Sequence, residues 1–120
     1  MDELIRMTAR QAVAALKNRE VTPAELIDAA AKRIAAVEPL VNALPTLCAD
    51  RARAFVETLV APDPAPPGYL YGLPIAIKDL VEVKGVRTTW GSRVFDKHVS
   101  ARSGYSVERL EANGAAIIAK

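Results

Sequence analysis

Cysteine, histidine and aromatic residues are all scarce in this sequence, and each scarcity removes a class of function. The one cysteine, Cys48, allows no intrachain disulfide and no multi-cysteine metal site. It reads as a small, half-buried hydrophobe, and a lone free thiol suits a reducing cytoplasm. The one histidine, His98, lies in the polar stretch Asp96-Lys97-His98 and reads as a solvated loop residue. With no Gly-x-Ser-x-Gly elbow beside it, a Ser-His-Asp hydrolase has no support. Zinc ligands are absent in any known spacing. Aromatics make up 5% of the chain and the net charge is only +2, with basic and acidic residues interleaved, so nothing suggests nucleic-acid binding. No apolar run approaches a membrane span, and Met1 to Arg6 mixes charged and apolar residues, unlike a signal peptide.

What is present suits a small packed domain or a piece of a larger one. The chain has 120 residues, 51% hydrophobic and 25% charged. Much of the apolar share is alanine, which buries little area per residue and thins the core.

Helix signals come first. Thr8-Ala9-Arg10-Gln11 is a capping box, followed by an alanine-rich run from Ala9 to Lys17. Thr22-Pro23-Ala24-Glu25 repeats the box with proline at the first helical position. Leu26, Ile27, Ala30, Ile34 and Val37 then recur at spacings of three and four, and Glu38-Pro39 is expected to end that helix. Residues 42–47 read as irregular, and Asp50 to Val60 as helical. The stretch 62–68 is rich in proline and reads as a linker between a helical layer, 1–61, and a different second part, 69–120.

The second part reads as strand, loop, helix, strand. Leu73 to Ile77 is a short apolar run that Leu80 to Val83 would extend, and Lys84-Gly85 is a turn. Arg87 to Ser92 is a polar loop carrying Trp90. A helix starts at Ser103 or Gly104 and ends at Asn113-Gly114, where glycine suits a left-handed cap. Ala115 to Ala119 reads as a strand buried on both faces. Strand, crossover and strand is the pattern of an α/β unit with parallel strands.

Lys78 follows the first strand. A lysine at the carboxyl end of a buried strand is unusual, and open α/β sheets bind ligands there. Desolvation favours the neutral amine, which can then act as a base. The residues alone leave a second reading open, in which Lys78 reaches water or pairs with Asp79. Gly114 to Lys120 lacks the second glycine and the hydroxyl residue of a phosphate loop. Ser92, Ser100, Ser103 and Ser106 fit capping and turn roles.

Three stretches carry a family resemblance: Gly72-Leu73-Pro74-Ile75-Ala76-Ile77-Lys78-Asp79, Lys84-Gly85-Val86-Arg87-Thr88-Thr89-Trp90-Gly91-Ser92, and residues 107–120. They look like the amidase signature family, and Val21 to Leu26 and Ile34 to Ala43 are similar to its N-terminal helices. The resemblance implies an α/β fold in which N-terminal helices precede the first strands of a mixed sheet flanked by helices, an incomplete amidase signature fold. It implies a hydrolase of carboxamide C–N bonds in which the residue matching Lys78 is the base of a Ser–cis-Ser–Lys triad. No metal or organic cofactor is implied. The partner would be a small-molecule amide; neither nucleic acid nor membrane is expected, and the oligomeric state, a homodimer included, stays open. The family's Gly/Ser-rich segment, which supplies both serines and the oxyanion hole, follows the strand that ends at Lys120. These 120 residues are therefore expected to be an inactive front part. Trp90 is a candidate either for lining a substrate channel or for loop packing. The family also includes the amidase-like component of a tRNA-dependent amidotransferase; Leu44 to Cys48 departs from the pattern expected there and suits a stand-alone amidase better. A non-enzymatic helical module that binds a partner protein is the alternative from a different class.

Overall fold

A computed structural model describes residues 3–120; the N-terminal reading of Met1 and Asp2 lies outside it. Both capping boxes form. The Thr8 hydroxyl accepts from the Gln11 N–H, and the Gln11 side chain accepts from the Thr8 N–H at 2.8 Å, opening α1 (Ala9–Lys17). Thr22 and Glu25 repeat the exchange at the start of α2 (Pro23–Val41), satisfying helix N–H groups that have no intrahelical partner.

The second helix does not stop at Glu38-Pro39. It continues to Val41 and ends where Asn42 turns left-handed at φ 51°, its N–H donating to the Glu38 carbonyl at 2.7 Å. Proline near a helix end removes one bond, and Ala35 and Pro39 are both exposed, where solvent can replace it. The third helix, α3 (Ala49–Glu57), is shorter than the pattern suggested, because the Thr58 hydroxyl donates to the Phe55 carbonyl and the chain unwinds there.

Strand β1 (Pro74–Ala76) pairs in parallel with β2 (Ala116–Ala119), with Ile75 opposite Ile117. The expected run Leu73 to Ile77 is matched by flanking bonds: Ala116 N–H to Leu73 O at 2.9 Å and Ile77 N–H to Ala119 O at 3.0 Å. Leu80 to Val83 does not extend the strand. The chain turns out of the sheet at Lys78, whose carbonyl accepts from the Val81 N–H. On the opposite edge of β2, Leu47 bridges Ala119 in antiparallel sense and the Cys48 N–H donates to the Ile118 carbonyl. The second strand is thus central and its neighbours mixed in direction. It is buried throughout, as its unbroken apolar run requires.

The helical and sheet parts share a core. Ile27 of α2 and Ala52 of α3 pack with Ala116, Ile118 and Ala119, while Val107 of α4 (Tyr105–Ala112) packs with Ile77, Val83, Val86 and Ile117. Arg51 of α3 and Glu111 of α4 form an ion pair at 2.5 Å. Residues 62–68 run across the surface, all exposed but Ala65. Among the described residues no helix is long and apolar enough to cross a membrane.

Candidate active site

The carboxyl ends of β1 and β2 lie side by side, and each is followed by a lysine. Lys78 is exposed and lines an open cleft of about 610 Å³ together with Trp90, Ser92 and Arg93. Lys120 points inward, and its side chain is fully buried. Clefts at strand carboxyl ends are where α/β sheets place ligands.

Of the two lysines, only Lys120 pairs with the carboxylate of Asp79. Asp79, next to Lys78 in sequence, ion-pairs with Lys120: Nζ lies 3.3 Å from Oδ1. The same ammonium donates to the Thr88 hydroxyl. The Thr89 N–H donates to both Asp79 carboxylate oxygens, at 3.1 and 3.2 Å, and the Thr89 hydroxyl donates to Oδ2. Burial alone would raise the Asp79 carboxyl. The Thr89 bonds and the Lys120 ammonium outweigh it and hold the group below its ordinary value. The pairing of Lys78 with Asp79 that the residues left open does not form.

The loop after β1 is tied to this cluster. The Trp90 N–H donates to the Asp79 carbonyl at 3.0 Å, and the Gly91 N–H to the Thr89 hydroxyl at 3.1 Å. Trp90 and Gly91 are both left-handed, at φ 51° and 71°. Glycine takes that conformation without cost; tryptophan does not, and the surrounding bonds must hold it there. The ring is turned to the cleft mouth, 36% exposed, and packs edge-on against Phe95 with centroids 5.2 Å apart.

His98 lies in a loop with its side chain 39% exposed, and it also packs against two aromatic rings. Its ring sits 5.2 Å from Trp90 and 6.1 Å from Phe95, and Nε2 is 3.9 Å from Glu82 Oε1, too far for a hydrogen bond. The bonds His98 N–H to Phe95 O and Thr88 N–H to His98 O fold the polar stretch back on itself. The serines divide. Ser92 accepts from the Val94 N–H and caps a short 3₁₀ turn, Arg93–Phe95. Ser103 accepts from the Lys84 N–H. Ser100 departs from its expected role: it is buried and its hydroxyl has no partner among the described residues. Cys48 is half-buried, its thiol donates to the Ile117 carbonyl at 3.4 Å, and burial pushes that thiol up, so it is a packing residue.

Sequence reasoning singled out Lys78, which lines the cleft, and missed Lys120 with its partners Thr88 and Asp79. The signal was available, since Lys120 follows a continuous apolar run just as Lys78 does. A buried lysine at that position requires a carboxylate, and Asp79 is the one across the paired strand.

The chain is similar to known proteins along nearly all of its length. The profile of the family described as Amidase matches residues 25–120. The chain is 40% identical over its whole length to the A component of the glutamyl-tRNA(Gln) amidotransferase of Roseiflexus sp. (strain RS-1), and 39% identical over 98% of its length to that of Anaeromyxobacter dehalogenans (strain 2CP-C). It spans about a quarter of the length of each, 25% and 24%. Among solved structures, 6-aminohexanoate cyclic dimer hydrolase superposes on all of the chain and 24% of its own with a TM-score of 0.84 at 23% identity. A bacterial aryl acylamidase of the amidase signature enzymes family superposes on 93% of the chain and 24% of its own, at TM-score 0.78 and 20% identity. These two likenesses establish the incomplete α/β fold.

Proposed function

Since the chain belongs to the amidase family, we propose that it supplies the front part of an enzyme that cleaves carboxamide C–N bonds, with Lys78 as the base. The observation that carries this reading is the exposed Lys78 amine, set at the strand ends in an open cleft and free of its neighbouring carboxylate. In the triad that the resemblance implies, the amine at this position takes a proton from a bridging serine, which takes one from a nucleophilic serine. The nucleophile attacks the amide carbon, ammonia or an amine leaves, and water releases the acid. By the resemblance, both serines and the oxyanion donors belong to the segment that follows β2. Of the chain's four serines only Ser92 lines the cleft with Lys78, and its hydroxyl caps the short 3₁₀ turn; Ser100 is buried, Ser103 accepts from the Lys84 N–H, and Ser106 lies in α4.

The relatives favour one version of this chemistry. Their identity of 40% and 39% runs along the whole chain or nearly so, and both are amidotransferase components. The amide would then be that of glutamine and the released ammonia would pass to a second site. The stand-alone version uses the same Lys78 and differs in the substrate and in releasing the ammonia or amine to solvent.

Fluorophosphonate labelling followed by mass spectrometry tests the division of labour. The 120-residue chain is expected to take no label at any serine, whereas specific labelling of one would contradict the assignment of the nucleophile elsewhere. Ammonia release from glutamine, compared with release from simple aliphatic and aryl amides by a longer product of the same gene, separates the two versions.

A further inference from the structure

We propose that Lys120 is a positioning residue whose ammonium draws Asp79 inward and so keeps Lys78 free of the carboxylate beside it. The inference rests on the reading of Lys78 as a base, but it concerns a separate pair of side chains. The chain leaves the sheet at Lys78, and Asp79 stands in the turn that follows, where the Thr89 N–H and hydroxyl hold its carboxylate. Lys78, Asp79 and Lys120 all line the cleft; Lys78 is exposed there, while Asp79, only 16% exposed, pairs with the fully buried side chain of Lys120. Thr89 holds the same carboxylate from a third direction through its N–H and hydroxyl, and Thr88 takes a second bond from the Lys120 ammonium.

The consequence for Lys78 is electrostatic. Among the described residues, the ion pairs involve Arg51, Arg53, His98, Arg102 and Lys120, and none involves Lys78. A carboxylate beside a lysine favours the ammonium form, which cannot accept a proton. Asp79 is the carboxylate nearest in sequence. Without Lys120 its charge would be uncompensated in a mostly buried position, and rotation toward the Lys78 ammonium at the cleft edge would relieve it. Lys120 removes that option.

The test reads the free amine directly, so it does not depend on amidase activity. The chain is treated at neutral pH with a limiting amount of a soluble succinimidyl ester, which acylates only neutral amines, and each lysine is quantified by peptide mass spectrometry. In the unaltered chain Lys120 reacts more slowly than Lys78. Equal rates would overturn the buried pair, and this comparison needs no variant. In Lys120→Met the acylation of Lys78 slows by about two- to fivefold, the size that an exposed lysine–carboxylate pair allows. Adding Asp79→Asn to Lys120→Met restores the rate, while exposed Lys97 is unchanged throughout. An unchanged or faster Lys78 rate in folded Lys120→Met, or no restoration in the double variant, would overturn the proposal. Absence of amide hydrolysis in a longer product would count against the catalytic reading and leave this result standing.

Discussion

Asp79 carries more of the site's stability than its modest exposure suggests. It accepts from Thr89 and Lys120 while most of its surface is buried, and its carboxyl is held below the ordinary value of 3.8. A carboxylate whose folded value is depressed stabilises the fold above the unfolded value, and that contribution disappears as the pH falls through the lower, folded one. Asp79→Asn leaves the Lys120 ammonium buried without its counter-charge, an expected loss of about 3 kcal/mol near neutral pH. Urea unfolding of both proteins checks it: the gap should hold down to about pH 4 and narrow below that, as the unaltered carboxyl also takes up its proton. At this scale the sequence was half legible. Lys78 stood out because a family pattern surrounds it. Lys120 did not, because its role depends on which carboxylate lies across a parallel pair, and register is a tertiary fact.

Helix starts were easier to read than helix ends. Both capping boxes are local, with donor and acceptor three residues apart, so the residues specify the geometry directly. Thr22→Ala should cost about 1 kcal/mol in urea unfolding. Ends depend on what lies beyond them. Pro39 reads as a stop, yet α2 passes it because the proline is exposed near the terminus and Asn42 supplies the left-handed exit. Leu80 to Val83 has a strand composition, but Lys78 and Asp79 turn the chain toward the Thr88–Gly91 loop first. The close of α4 was legible for a local reason: Gly114 stands at φ 82° after Asn113. A Cβ there would also lie 2.7 Å from the Tyr69 ring. Gly114→Ala should therefore cost at least about 2 kcal/mol, the left-handed penalty added to displacement of the ring. A loss under roughly 0.5 kcal/mol, the scatter of ordinary surface substitutions, would contradict the packing.

At the scale of the whole molecule, the cleft side carries exposed apolar side chains. Trp90 and Leu80, which line the cleft, expose 36% and 55% of their surface, Phe95 beside Trp90 exposes 44%, and the chain spans about a quarter of its curated relatives. We propose that 1–120 is the front of a single domain, with 1–61 as its helical layer, 62–68 as a surface connection and 69–120 as the start of the sheet core. A complete domain of this length would unfold with an enthalpy of about 80 kcal/mol. The isolated chain should show clearly less, with a broad transition in calorimetry; a sharp transition at the full enthalpy would mean that these residues form a self-sufficient unit.

The central claim, that Lys78 is the base of an amide-cleaving site completed elsewhere, is tested most directly by joining residues 1–120 in frame to the remaining three quarters of the Roseiflexus relative, whose front part shares 40% identity with this chain. Circular dichroism first establishes that the fusion folds. Fluorophosphonate labelling and ammonia release from glutamine are then measured for the fusion and for its Lys78→Met variant. The account predicts a labelled, active fusion whose rate falls by about 10²- to 10⁴-fold when Lys78 is replaced, the range of a positioned general base. A folded Lys78→Met fusion that labels and releases ammonia at the unaltered rate would contradict it.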